Sequence, residues 1–166
     1  MKALKAILLA AAVLYLILYV AIAVARISYP FELEWREGGA VDQVARILAG
    51  EKLYVEPSLE FVPYTYTPLF FYVSAGAASL LGVGFFPLRL VSFVSSLVSL
   101  LLIYLLVKRE TKDTWCGVLA AGLFAATFRA SGAWFDLARV DSLFLVLCLA
   151  AIYVVRASSS RLGYTA

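Results

Sequence analysis

The chain has 166 residues, 64% of them hydrophobic and 15% charged, where a soluble domain runs about half apolar and about a quarter charged, so it reads as an integral membrane protein. With no histidine it has no Ser-His-Asp triad, no Cys-His nucleophile and no His-ligated zinc or haem. Two cysteines, Cys116 and Cys148, lie inside apolar runs and give no disulfide framework. The net charge of +3, with no dense Lys/Arg block, gives no nucleic-acid face.

The first crossing is predicted within residues 1–27. Leu4 to Ala25 is apolar for roughly 20 residues, enough for a bilayer core of about 30 Å. Lys2 and Lys5 keep its start cytoplasmic and send the following polar segment outside. A cleaved signal peptide is the rival reading, since a basic start precedes the run and Ala23-Val24-Ala25 resembles a small-residue cleavage site. The run is longer than the roughly 7–15 residues of a signal core.

Residues 28–87 form the outer loop. Val41, Val44, Ile47 and Leu48 recur at helical spacing, Asp42 and Arg46 stand at i,i+4, and Gly50 sits where a C-cap belongs. This predicts a short amphipathic helix on the membrane surface, with Arg46 turned to the polar cleft or to Asp42. Pro57 and Pro63 bias their predecessors toward extended structure. Pro68 to Leu81 is predicted as an interfacial or re-entrant helix, broken by Gly82 and Gly84.

Residues 88–107 form the second crossing. It ends at Lys108, Arg109 and Lys112, which the positive-inside rule places in the cytoplasm. The rival is a hairpin in which Thr67–Phe86 also crosses. The third crossing is 115–128, running outward to a loop at 129–141. The fourth is 142–156, returning to Arg156 and Arg161, with Ser158-Ser159-Ser160 as a polar end. The fold class is therefore all-α integral membrane. About four transmembrane helices and additional interfacial helices form one module, with the N-terminus in the cytoplasm and both polar loops outside.

Two polar sites fall at the same depth. One is Glu32 to Gly39; the other is Arg129 to Asp141. Ionisable groups beside hydrocarbon are costly and are usually paired or functional. Glu37, Asp136 and Asp141 are the candidate catalytic acids. They can hold a divalent cation, or one can act as a general base toward a hydroxyl. Arg129 and Arg139 are suited to a phosphate. Structural uses stand beside these: Glu37 as a first-turn acid on its helix, Asp141 as an N-cap, and Asp136 paired with Arg139.

Glu37-Gly38-Gly39, Val44 to Gly50 and Leu53-Tyr54 resemble the first outer loop of multi-spanning glycosyltransferases of the GT-C class. Tyr66-Thr67-Pro68-Leu69 resembles the segment opening that class's next outer helix. Ser131 to Asp136 resembles an outer-loop segment of oligosaccharyltransferase catalytic subunits. Asp141-Ser142-Leu143 is similar to the Asp that protein O-mannosyltransferases and aminoarabinose transferases place before a crossing. The resemblance implies transfer of a sugar from a polyprenyl-phosphate donor to a lipid, protein or glycan acceptor. The expected setting is the outer face of a bacterial or archaeal plasma membrane.

By the same resemblance Glu37 is the expected base or metal-linked acid. Asp136 and Asp141 orient the acceptor or a cation, and Arg139 or Arg129 neutralises the leaving phosphate. Arg46 and Tyr66 are further candidate substrate-binding residues. There are departures: Arg36 stands where the class often carries an Asp, and the acidic pair is spread from Asp136 to Asp141. Members of the class are longer, so the chain is expected to be an N-terminal part. The alternative is a non-enzymatic four-span scaffold or subunit.

Overall fold

A computed structural model describes residues 2–159; Ser160 and Arg161 of the expected cytoplasmic tail lie outside the described residues. The helices are α1 (Lys2–Arg26), α2 (Arg36–Leu48), α3 (Leu69–Leu81), α4 (Phe85–Thr111), α5 (Thr114–Ala126) and α6 (Asp141–Ser159), with no strand among the described residues. The protein is an all-α membrane protein. Among the described residues, Lys2–Arg26, Phe85–Thr111 and Asp141–Ser158 are the helices long and apolar enough to cross a membrane.

α1 and α5 run parallel. Trp115 Nε1 at the start of α5 donates to the Lys5 carbonyl at 3.3 Å. Further along, a Cβ built on Gly122 would come within 2.3 Å of Ala12 Cβ. Only glycine permits that backbone approach, as at small-residue helix interfaces in membranes. α4 runs the other way. Its Tyr104 packs on Gly117 near the start of α5, and its Arg109 donates to the Arg156 carbonyl at 2.7 Å, so α4 and α6 end together. One end of the bundle thus carries Lys5, Lys112 and Arg156. The other carries the α1 C-terminus, α2 and the 129–141 loop.

α4 is longer than its expected 88–107 range, beginning at Phe85 and ending at Thr111. Pro87 does not stop it, because a first-turn N–H has no intrahelical acceptor to lose. Its buried face carries Ser92, Ser95, Ser96 and Ser99. Ser95 and Ser99 return their hydroxyls to the Val91 and Ser95 carbonyls at 2.7 and 2.9 Å. Tyr19 of α1 is hydrogen-bonded to Ser96.

α5 is capped by Asp113, which accepts the Trp115 N–H at 2.8 Å. It has 13 residues and rises about 20 Å, short of a bilayer core of about 30 Å. It stops before the expected Phe128. The Thr127 and Phe128 N–H groups turn back to the Phe124 and Ala125 carbonyls at 3.1 Å each, a tight final turn that redirects the chain. α3 falls within the expected Pro68–Leu81 helical segment, and its length of 13 residues makes it another apolar helix shorter than a span.

Candidate functional site

The loop end of the bundle holds three arginine–carboxylate systems, each tying different segments together. The innermost joins Glu37 of α2 to Arg89 of α4, both fully buried at 0% exposure. Arg89 Nε donates to Glu37 Oε1 at 2.9 Å and Nη2 to Oε2 at 2.7 Å. Arg89 also donates to the carbonyls of Tyr29 at 2.6 Å and Phe31 at 2.8 Å. Glu37 accepts the Ala138 N–H at 2.9 Å and the Leu33 N–H at 2.8 Å. Burial alone would push its carboxyl up. The Arg89 guanidinium and the two backbone N–H groups outweigh that and hold it below the ordinary carboxylate range.

The second system joins Arg26, at the end of α1, to Asp136. Arg26 Nε donates to Asp136 Oδ2 at 2.5 Å, and its Nη2 also pairs with Asp136 Oδ1 and the Ala133 carbonyl. Asp136 is buried. The expected local pair with Arg139 does not form, because Asp136 turns inward toward α1.

The third system is the open one. Arg139 Nη1 meets Glu34 Oε2 at 3.1 Å and its Nε meets Asp141 Oδ2 at 2.9 Å. Its guanidinium lies 4.0 Å from the centre of the Trp134 ring. Burial would lower the Arg139 pKa, but the Asp141 and Glu34 carboxylates raise it. The Asp141 side chain is 49% exposed. Beside it lies a narrow cleft walled by Arg36, Tyr64, Tyr66, Phe70, Arg139 and Asp141. Arg36 hydrogen-bonds the Tyr66 hydroxyl, and Tyr54 donates to the Tyr66 carbonyl at 2.5 Å. Burial raises the Tyr64 phenol, which stays protonated and donates to the Arg36 carbonyl at 3.2 Å.

The expected site residues therefore divide. Glu37, Asp136, Asp141, Arg139 and Tyr66 gather at one end, and the Glu37–Ala138 hydrogen bond joins the two polar loops directly. Arg46 goes elsewhere: it pairs with Glu51 at 2.6 Å, donates to the Lys52 carbonyl at 3.0 Å and covers the Phe61 ring. The chain reverses after Gly50, bringing Glu51 to Arg46 and leaving Asp42 exposed. Arg129 is exposed and does not wall the cleft.

Among the described residues, no three His, Cys, Asp or Glu side chains form a metal-binding group. The expected cation ligands Glu37, Asp136 and Asp141 each face a different arginine, an arrangement that does not fit a shared divalent cation. Arg26, Glu34, Arg36 and Trp134 are not among the expected site residues, although Glu34 and Arg36 lie in the first polar segment and Trp134 in the second. For Arg89 the signal was present: it is the one charge between Phe61 and Val107, and a lone charge in an apolar run needs a buried partner.

Residues 63–162 match the family described as dolichyl-phosphate-mannose-protein mannosyltransferase. The chain belongs to that family. The matched segment contains Tyr66, Arg89, Asp136, Arg139 and Asp141, while α2 with Arg36 and Glu37 precedes it. No curated protein and no solved structure matches the chain.

Proposed function

We propose that the protein transfers a sugar from a polyprenyl-phosphate-linked donor to an acceptor hydroxyl at the outer membrane face, with the cleft between Arg36, Arg139 and Asp141 as the donor-phosphate site. The observation that carries this is the position of Asp141: within the family-matched segment, its half-exposed carboxylate stands beside Arg139 and opens on a cleft holding a second arginine. The loop end faces outward in this reading because Lys2, Lys5 and the Lys108–Lys112 cluster gather at the other end.

Each residue then has a role. Arg36 and Arg139 take the donor phosphate, a match for planar guanidinium forks. The acceptor oxygen attacks C1 of the sugar. The bond between C1 and the phosphate oxygen breaks, its electron pair stays on the phosphate, and the arginines stabilise that charge. The acceptor proton passes to Asp141, a step worth about 10²–10⁴-fold in such reactions. Glu37 is not the base in this scheme, because its oxygens are enclosed by Arg89, Leu33 and Ala138. It holds the two loops together.

The test is binding of polyprenyl monophosphate to the full-length protein in nanodiscs. Arg36→Gln and Arg139→Gln should each weaken binding by about tenfold or more, the effect of losing one charge-assisted contact. Wild-type affinity in both variants would remove the cleft from the donor site.

A further inference from the structure

Asp141 borders two depressions. On one side is the arginine-lined cleft. On the other is a wider, open pocket formed by Ala130, Ser131, Gly132, Trp134, Phe135 and Asp141, which no Lys or Arg lines. Asp141 Oδ2 is held by Arg139 Nε at 2.9 Å, and Oδ1 has no hydrogen-bond partner among the described residues. One carboxylate oxygen is thus fixed at the phosphate cleft while the other is available to a group in the second pocket.

The walls of that pocket are held firmly. The Phe135 ring stacks on Phe124 with centroids 4.8 Å apart and meets Tyr19 edge-on at 5.9 Å. Ser131 donates to the Phe128 carbonyl at 3.0 Å, so its oxygen keeps its acceptor capacity. Gly132 lies at φ +78°, and a Cβ there would stand 2.6 Å from the Trp134 ring. A side chain at 132 would be strained and would displace the indole. Trp134, braced by Arg139, still leaves 38% of its surface exposed.

We infer that this second pocket is the acceptor site, and that it takes a neutral saccharide hydroxyl. The inference rests on the cleft being the donor site. A transferase must bring two substrates to one proton acceptor, and Asp141 is the side chain common to both depressions. Charge separates their occupants. Two arginines suit a phosphate on one side; on the other, Asp141 is the one charged side chain in the lining and no Lys or Arg lines the pocket to receive an anion. An exposed indole, a seryl oxygen and a carboxylate oxygen together offer an apolar surface and convergent acceptors, the lining that a polyhydroxylated ring meets on its C–H and O–H sides.

The probes are methyl α-mannopyranoside and methyl α-glucopyranoside, with N-acetyl-threonine methylamide as the peptide arm. The full-length protein carries Trp35→Phe and Trp115→Phe, so that of the 3 tryptophans in the 166 residues only Trp134 still emits. A saturable fluorescence change with a glycoside is expected. Asp141→Asn should weaken it at least tenfold, and Ala130→Phe, which fills the pocket without adding a second indole, should abolish it. Arg36→Gln should weaken polyprenyl-phosphate binding by about tenfold or more and keep the glycoside response, which separates this inference from the donor-site reading. No saturable response to either glycoside, or one that Ala130→Phe leaves intact, would overturn it. So would saturation by the threonine amide alone.

Discussion

Arg89 and Glu37, 52 residues apart, meet through two hydrogen bonds of 2.9 and 2.7 Å inside the protein. The pair does more than neutralise itself. Arg89 gathers the carbonyls that follow α1, while Glu37 gathers the N–H groups of Leu33 and Ala138. Four segments are therefore registered against one another at the base of the cleft.

Breaking this pair should be costly. Arg89→Met leaves a buried carboxylate without its cation, and Glu37→Gln leaves a buried guanidinium without its anion. Each is expected to lose about 3–5 kcal/mol. Arg89→Lys should recover only part of it, because an ammonium cannot serve two carboxylate oxygens and two carbonyls with the same fork. Thermal unfolding in detergent measures all three. Wild-type midpoints for Arg89→Met and Glu37→Gln would show that the pair holds nothing together.

Acid should act through the same carboxyl. In the folded protein Glu37 is held below its ordinary value, so the unfolded chain takes up its proton first as pH falls. The stabilisation is fully present above the unfolded value of about 4.3 and is lost as pH drops through the lower folded value. The unfolding midpoint of the wild type should therefore fall below pH of about 4 more steeply than that of Glu37→Gln. Parallel curves for the two proteins would contradict this.

The acids share an end because two antiparallel helices, α4 and α5, separate the two polar loops. Cysteines placed at Asp42 and Arg129, both exposed, in a chain lacking Cys116 and Cys148, should react with an impermeant maleimide from the same side of the membrane. A cysteine at Lys112 should react from the other. Labelling of positions 42 and 129 from opposite sides would separate the loops by the bilayer, roughly 30 Å.

Much of this was legible in the residues, and what was not has physical reasons. The long apolar runs mark α1 and α4, and the charge placement puts both polar loops at one end. Glu37 shares a helical face with Ala40 and Val44, which are buried with it; the spacing i, i+3, i+7 carries that information. Arg89 announces its need for a partner by its isolation. Which partner it takes is not local: nothing near Arg89 names Glu37, and nothing near Arg139 names Glu34. Arg46 shows the opposite failure. Its spacing from Asp42 suits a helical pair, but the chain reversal after Gly50 supplies Glu51 at 2.6 Å instead. α5 has the continuous apolar run of a crossing. Its helix is cut at Ala126 by a final turn that no single residue type dictates.

The division of labour between Asp141 and Glu37 is the centre of the account, and sugar release from polyprenyl-phosphate mannose by the full-length protein tests it most directly. Asp141→Asn should lower turnover by about 10²–10⁴-fold while leaving the unfolding midpoint near that of the wild type. Glu37→Gln, assayed well below its own lowered midpoint, should keep turnover within about tenfold of the wild type. The reverse result, with Glu37→Gln inactive at an unchanged midpoint and Asp141→Asn turning over normally, would contradict the assignment and return the base to Glu37.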